Sequence, residues 1–162
     1  MKKTAAQSVP ANKSPMDAAL GYLTARMRTV REVEEYLDKL QYGEGDIILT
    51  VARLKELGLL NDEHFAQEFV RTRLNTKPVS RNKLNMDLQA HKVPEDIIDE
   101  TLSQLPADTE RNNALAVAEK FWRQMSALDD STRRERVLRR LMSRGFSTEA
   151  SLAVLRQIEE KQ

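Results

Sequence analysis

The sequence predicts an all-α protein: three tandem three-helix repeats forming an elongated, curved helical array. Three observations predict it. The composition is 40% hydrophobic and 31% charged, with only five glycines among 162 residues, a mixture that favours helices. Apolar residues recur three and four positions apart, and no segment shows the alternation of a strand. The helical patterns also fall into threes. Leu23, Val70 and Trp122 take similar places, as do Leu37, Leu88 and Leu141, and Ile48, Ile98 and Leu152, so the unit recurs about every 50 residues. One unit of that size is marginal alone, and stacking on a neighbour extends its core.

Residues 1–13, MKKTAAQSVPANK, lack periodicity and are expected to be a disordered arm. Repeat 1 is expected over residues 14–60. Ser14 suits an N-cap, Pro15 the first helical position, and Asp17 the positive helix end. Met16, Ala19, Leu20, Leu23 and Met27 form its first apolar stripe. Thr29 and Glu32 fit a capping box for a second helix with Val30, Val33, Leu37 and Leu40. A third helix carries Ile47, Ile48, Val51, Leu54 and Leu57 and ends at Gly58, a natural left-handed stop.

Repeat 2, residues 61–106, opens with Asn61 or Asp62 as a cap and Phe65, Ala66, Phe69, Val70 and Leu74 on one face. Pro78 breaks this helix. Leu84, Leu88 and His91 mark the next, and Ile97, Ile98, Leu102 and Leu105 the third, between Pro94 and Pro106. Repeat 3, residues 107–162, begins with a longer helix holding Ala114, Leu115, Ala118, Phe121, Trp122 and Met125. Thr132 and Glu135 fit a second capping box, with Val137, Leu138, Leu141 and Met142 facing inward before Gly145. Ser147 caps a last helix with Leu152, Leu155 and Ile158.

The run Asn61-Asp62-Glu63-His64 gathers groups that could ligate a metal. Successive helical residues diverge by about 100°, so the four cannot converge on one ion; helix-borne chelation uses three- or four-residue spacing. The run is a helix start, and His91, on an apolar face, is a packing residue. There is no cysteine, no nucleophile elbow and no glycine-rich phosphate loop. The pairs Glu34–Asp38 and Asp96–Glu100 are most simply solvated faces. No catalytic residue, cofactor or metal is expected. The chain lacks an apolar secretory core and any membrane-spanning run, and a cytoplasmic protein is expected.

Charge is unevenly spread although its formal net is +1. Arg71, Arg73, Lys77, Arg81, Lys83 and Lys92 stand against Asp87 alone, and Arg133, Arg134, Arg136, Arg139, Arg140 and Arg144 against Glu135 alone. On an ideal helix Arg133, Arg136, Arg140 and Arg144 share an arc of about 80°. Like charges in one row repel by a few tenths of a kcal/mol per pair. Such a stripe suits an anionic partner, a nucleic-acid backbone or an acidic protein surface. Arg26, Arg28 and Arg31 add a cluster in repeat 1, and Arg71, Arg73 and Arg81 one in repeat 2. These ten arginines are the candidate binding residues.

The stretches ALGYLTARMRTVREV at residues 19–33, LKELGLLNDEHFAQEFVRTR at residues 54–73, and RRLMSRGF at residues 139–146 resemble the bacterial RecX family of recombination regulators. The resemblance runs from about Asp17 to Ile158. It departs at Lys92, where the family usually has glycine before an apolar residue, at Lys77-Pro78-Val79, and at Ser151, which replaces an apolar residue. The resemblance implies tandem three-helix repeats. It also implies a regulator, not an enzyme, that binds the RecA–DNA filament in its groove, restrains ATPase, strand exchange and coprotease activity, and binds single- and double-stranded DNA. A helix-turn-helix DNA-binding protein without a recombinase partner is one alternative, and a nuclease or other hydrolase, for which only the carboxylate pairs speak, is the other. No long heptad repeat argues for a dimer, so a monomer is expected.

Overall fold

The computed structural model describes residues 13–161; the expected arm lies outside the described residues except for Lys13. Among the described residues there are nine helices and no strand: α1 (Pro15–Thr24), α2 (Val30–Lys39), α3 (Glu44–Glu56), α4 (Asp62–Thr76), α5 (Arg81–Ala90), α6 (Glu95–Ser103), α7 (Thr109–Gln124), α8 (Asp130–Ser143) and α9 (Thr148–Glu159). None is long and apolar enough to cross a membrane. The chain divides into two compact units. Among the described residues, the first runs to Phe65 and takes in His91–Pro94, and the second is Ala66–Ala90 with the residues from Glu95 onward.

In the first unit α1, α2 and α3 pack mutually. Their core is Ala18, Ala19, Val33, Leu37, Val51, Leu54 and Leu60. In the second, α7, α8 and α9 do the same around Trp122, Val137, Leu141, Phe146, Val154 and Leu155, while α5 packs on α6 through buried Leu84, Leu88, Ile98 and Leu102. Leu37, Leu88 and Leu141, matched by the repeat spacing, are all fully buried. Each contributes about 1.5–3 kcal/mol by leaving water, so one or two such residues anchor a ten-residue helix that is too short to persist alone.

Local capping sets most helix starts. Ser14 accepts from the Asp17 amide, Thr29 and Glu32 form the complete capping box, and Ser147 accepts from the Ala150 amide. Asn61 Oδ1 accepts from the His64 amide at 2.8 Å, so the Asn61–His64 run is a helix start. The box expected at Thr132 and Glu135 does not form. Asp129, an equally strong cap, accepts from the Thr132 amide at 3.0 Å and starts α8 earlier, and Glu135 turns to Arg139. The backbone hydrogen bond from Thr132 holds the Asp129 carboxyl below its ordinary pKa.

The second helix of each repeat stops in the same way. Gln41, Lys92 and Gly145 all have positive φ, at 66°, 61° and 87°. At α2 the Tyr42 amide donates to Leu37 O and the Gln41 amide to Asp38 O; at α8 Phe146 and Gly145 repeat the pattern onto Leu141 and Met142. This is the Schellman stop, and Lys92 adopts its left-handed conformation without being glycine. The three stops lie 51 and 53 residues apart and set the register of the repeats. Carried into the third helices, that register aligns Ile47 with Ile98 and Ser151, one position from the alignment expected on Ile48. Ile48 is 60% exposed, whereas Ile98 is buried. Two adjacent isoleucines gave no sign of which faced inward. Leu57 and Met142, also expected inside, are about half exposed at helix ends where the packed face has run out.

A second recurrence joins consecutive repeats. In the first unit, Thr29 Oγ1 donates to the His91 carbonyl at 2.7 Å, and Asp62 Oδ1 accepts from the Val30 amide at 2.9 Å. In the second, the Ser80 amide donates to the Arg144 carbonyl at 3.0 Å, and Glu110 Oε2 accepts from the Arg81 amide at 3.1 Å. Each time, the N-terminus of one repeat's second helix is held by a turn carbonyl and a first-helix carboxylate of the next repeat. Orphan amides at a helix start need acceptors, and here the neighbouring repeat supplies them.

Candidate functional site

Helices α7 and α8 carry a cluster of cations in the second unit. Trp122 is buried in the α7–α8–α9 core, and its neighbour Phe121 is half-buried toward α8. Arg133 Nε donates to the Trp122 carbonyl at 2.8 Å, with its guanidinium 4.2 Å from the indole centroid. Arg133 thus caps the negative end of α7. One and two turns beyond Arg136, Arg140 and Arg144 lie 4.8 and 5.4 Å from the Phe121 ring centroid, and Lys120 Nζ lies 5.9 Å from it. Arg144 also donates to the Pro78 carbonyl at 3.0 Å. Burial, and then the charge of Arg140, pull the Arg144 guanidinium below its ordinary pKa.

The structure sorts the six arginines around α8. Arg134 pairs with Glu159 at 2.8 Å, and Arg139 pairs with Glu135. Arg133 is spent on the α7 carbonyl. Arg136, Arg140 and Arg144 have no carboxylate partner among the described residues, and they fall at four-residue intervals on one face. Arg140 and Arg144, with Lys120, form a cationic group around the Phe121 ring, and Arg136 lies one turn before Arg140 on α8. Each cation–ring contact is worth about 0.5–1 kcal/mol at an exposed position, too little to explain so many like charges together. Charge clustering along the sequence misses Lys120 because it follows Glu119 and looks neutralised; its proximity to Phe121 was the available signal.

The other candidates are placed differently. Arg26 is exposed, 4.0 Å from Glu32. Arg28 lies 4.0 Å over the Tyr22 ring, which stacks on Tyr36. Arg31 is shared by Glu34 and Glu35 at 3.2 and 3.4 Å. Arg71 pairs with Glu68, whose hydrogen bond raises the arginine's pKa. Arg73 binds Asp87 at 2.6 Å, and Arg81 donates to the carbonyls of Leu102 and Leu105, capping α6. Among the ten, the structure brings Arg140 and Arg144 together on one ring.

The three-helix pattern is shared with known proteins. Family models described as RecX first, second and third three-helix domain match residues 16–54, 61–102 and 108–155. The chain is 32% identical over 147 residues to the regulatory protein RecX of Chlorobium phaeobacteroides, covering 91% of this chain and 95% of the relative. The chain belongs to the RecX family. A crystal structure of RecX from Lactobacillus salivarius superposes with a TM-score of 0.73 at 25% identity, over 90% of this chain and 94% of that one. RecX of Bacillus subtilis is 30% identical over 91% of this chain but only 56% of its own length. The chain spans about half the length of that relative and of the similar Levilactobacillus brevis protein, which is covered over 53%. These relatives are named regulatory proteins.

Proposed function

We propose that this RecX-family chain binds the nucleoprotein filament of a RecA-type recombinase and restrains its ATPase, strand-exchange and coprotease activities. It acts as a cytoplasmic binding protein, not a catalyst. The supporting observation is the group of Lys120, Arg140 and Arg144 around Phe121, with Arg136 one turn before Arg140, none of them paired with a carboxylate among the described residues. In that setting a phosphate backbone or an acidic protein surface relieves the repulsion that the cations exert on each other. Arginine adds bidentate contacts to phosphate or carboxylate. Occupying the filament groove blocks the second DNA strand or the next recombinase subunit, and linked repeats gain through effective concentration.

The test is recombinase ATP hydrolysis on single-stranded DNA with sub-stoichiometric amounts of the chain. Hydrolysis is expected to fall. Unchanged hydrolysis, together with salt-steep binding to bare duplex DNA, would favour a helix-turn-helix DNA-binding protein with no recombinase partner.

A further inference from the structure

The first repeat carries a surface of opposite character. A groove between α2 and α3 is lined by Glu34, Glu35, Asp38 and Glu44, with Ile47 and Ile48 as its apolar wall. At one end Arg31 bridges Glu34 and Glu35, and Lys92 reaches Glu35 at 3.7 Å. Of its other carboxylates, Asp38 and Glu44 have no cation partner among the described residues, and neither has Asp46, close by on α3. Glu44 and Asp46 sit in the first turn of α3, where the helix dipole favours them. Asp38 has no such excuse. It lies in the last turn of α2, where the dipole disfavours a carboxylate, and four residues after Glu34, a like charge.

Two aliphatic side chains of α3 stand in water, Ile48 in the groove wall and Leu49 next to it in sequence. Ile48 is 60% and Leu49 71% exposed. In the register set by the helix stops, repeat 2 places Asp99 and Glu100 at these positions, both exposed. The α3 fold therefore tolerates carboxylates there, and the aliphatics answer to something outside the bundle. We infer that the α2–α3 groove docks a basic amphipathic helix of a protein partner, its apolar side chains on Ile48 and Leu49 and its cations against Asp38 and Glu44. The acidic rim repels nucleic acid, so this face reads protein while the Phe121 face reads the polyanion. The inference rests on the proposed function in taking the recombinase as that partner.

The test uses the full chain, an Ile48→Ser/Leu49→Ser variant and, separately, Asp38→Lys. Both change exposed side chains, and circular dichroism confirms the fold. Affinity is measured for recombinase filaments and for bare single-stranded DNA. The variants are expected to weaken filament binding at least tenfold and to leave DNA affinity within twofold. Wild-type filament affinity in both variants overturns the docking surface and leaves the proposed function standing. A wild-type chain without affinity for the filament removes both. Two further outcomes overturn the inference by assigning another occupant: dimerisation that the variants abolish, which gives the groove to a second copy, and tighter filament binding on deleting residues 1–12, which gives it to the chain's own segment.

Discussion

The Thr29 hydroxyl donates a 2.7 Å hydrogen bond to the main-chain carbonyl of His91, 62 residues further along the chain. The same oxygen accepts from the Glu32 amide, so one buried side chain both caps α2 and ties it to the turn after α5. Glu32 extends the tie: one carboxylate oxygen accepts from the Thr29 amide and the other lies 2.9 Å from His91 Nδ1. The His91 ring tilts against Phe65. The Thr29→Val variant keeps the shape and deletes both bonds. It should cost about 2 kcal/mol, a lost cap plus a carbonyl left unsatisfied, while Thr29→Ser should cost less than about half that. Urea denaturation of the three proteins measures the difference, and equal losses for Val and Ser would refute the tie.

The two helix stops at Lys92 and Gly145 predict substitutions of opposite sign. A Cβ on Gly145 would lie 2.5 Å from Ser80 Oγ and 2.8 Å from Lys83 Cβ, in addition to the φ of 87°. Gly145→Ala should destabilise by about 2 kcal/mol or more, because strain and overlap add. Lys92 holds φ 61° as an L-residue. Lys92→Gly should stabilise by about 0.5–1 kcal/mol, the left-handed strain relieved less the unfolded-state entropy gained by glycine. Thermal melts decide both signs.

Two carboxylates give opposite pH signatures. Burial raises the Asp62 pKa above its ordinary 3.8, only partly offset by the Val30 amide. The folded state then holds its proton more tightly than the unfolded chain, so stability falls as pH rises from 3.8 through the folded value. Asp62→Asn removes that fall, and its stability relative to the parent should increase with pH across the window. At Asp87, burial alone pushes the carboxyl up, but hydrogen bonds from Lys83 and Arg73 outweigh it and hold the pKa below 3.8. Its contribution is present above 3.8 and lost as pH falls through the folded value, so the deficit of Asp87→Asn should shrink in acid. Urea midpoints from pH 3 to 7 test both slopes, and parallel curves for either variant and the parent would contradict its assignment.

Ser151 is fully buried on α9 with no hydrogen-bond partner for its hydroxyl. Its counterpart in repeat 2 is the buried Ile98. Ser151→Ala deletes the unsatisfied group and leaves almost no cavity, so it should stabilise by about 1 kcal/mol. A loss of stability on chemical denaturation would mean that the hydroxyl is satisfied in solution.

Legibility in the sequence divides along the range of the interactions. Ser14, Thr29, Asn61 and Ser147 act on amides three residues away, and Gly58 acts on its own φ, so the letters carried the answer. Asp129 shows the limit of such reasoning, since two good caps stand three residues apart and the residue types alone do not choose between them. The bonds from Thr29 to His91 and from Ser80 to Arg144 span more than sixty residues and had no sequence sign. The arginines were found by clustering, but arginine has one letter whether it caps a helix, pairs with an acid or faces water. Arg81 and Arg133 hold carbonyls, Arg31 and Arg71 hold carboxylates, and only the folded chain separates them from Arg136 and Arg140.

That separation gives the last prediction, on two arginines of one helix. Arg133→Ala loses a charged hydrogen bond to the Trp122 carbonyl and a contact with the indole face. It should destabilise the chain by about 1.5 kcal/mol and leave the salt dependence of polyanion binding unchanged. Arg140→Ala removes an exposed charge from a repelling group, so its stability should stay within about 0.5 kcal/mol of the parent. If Arg140 meets a phosphate, the slope of log affinity against log salt on single-stranded DNA should fall by about 0.7, the share of one contact. Melting temperatures and a salt titration of the two variants give four numbers. Arg140 counts as a binding residue only if its change appears in the slope and not in the melt, and the reverse must hold for Arg133.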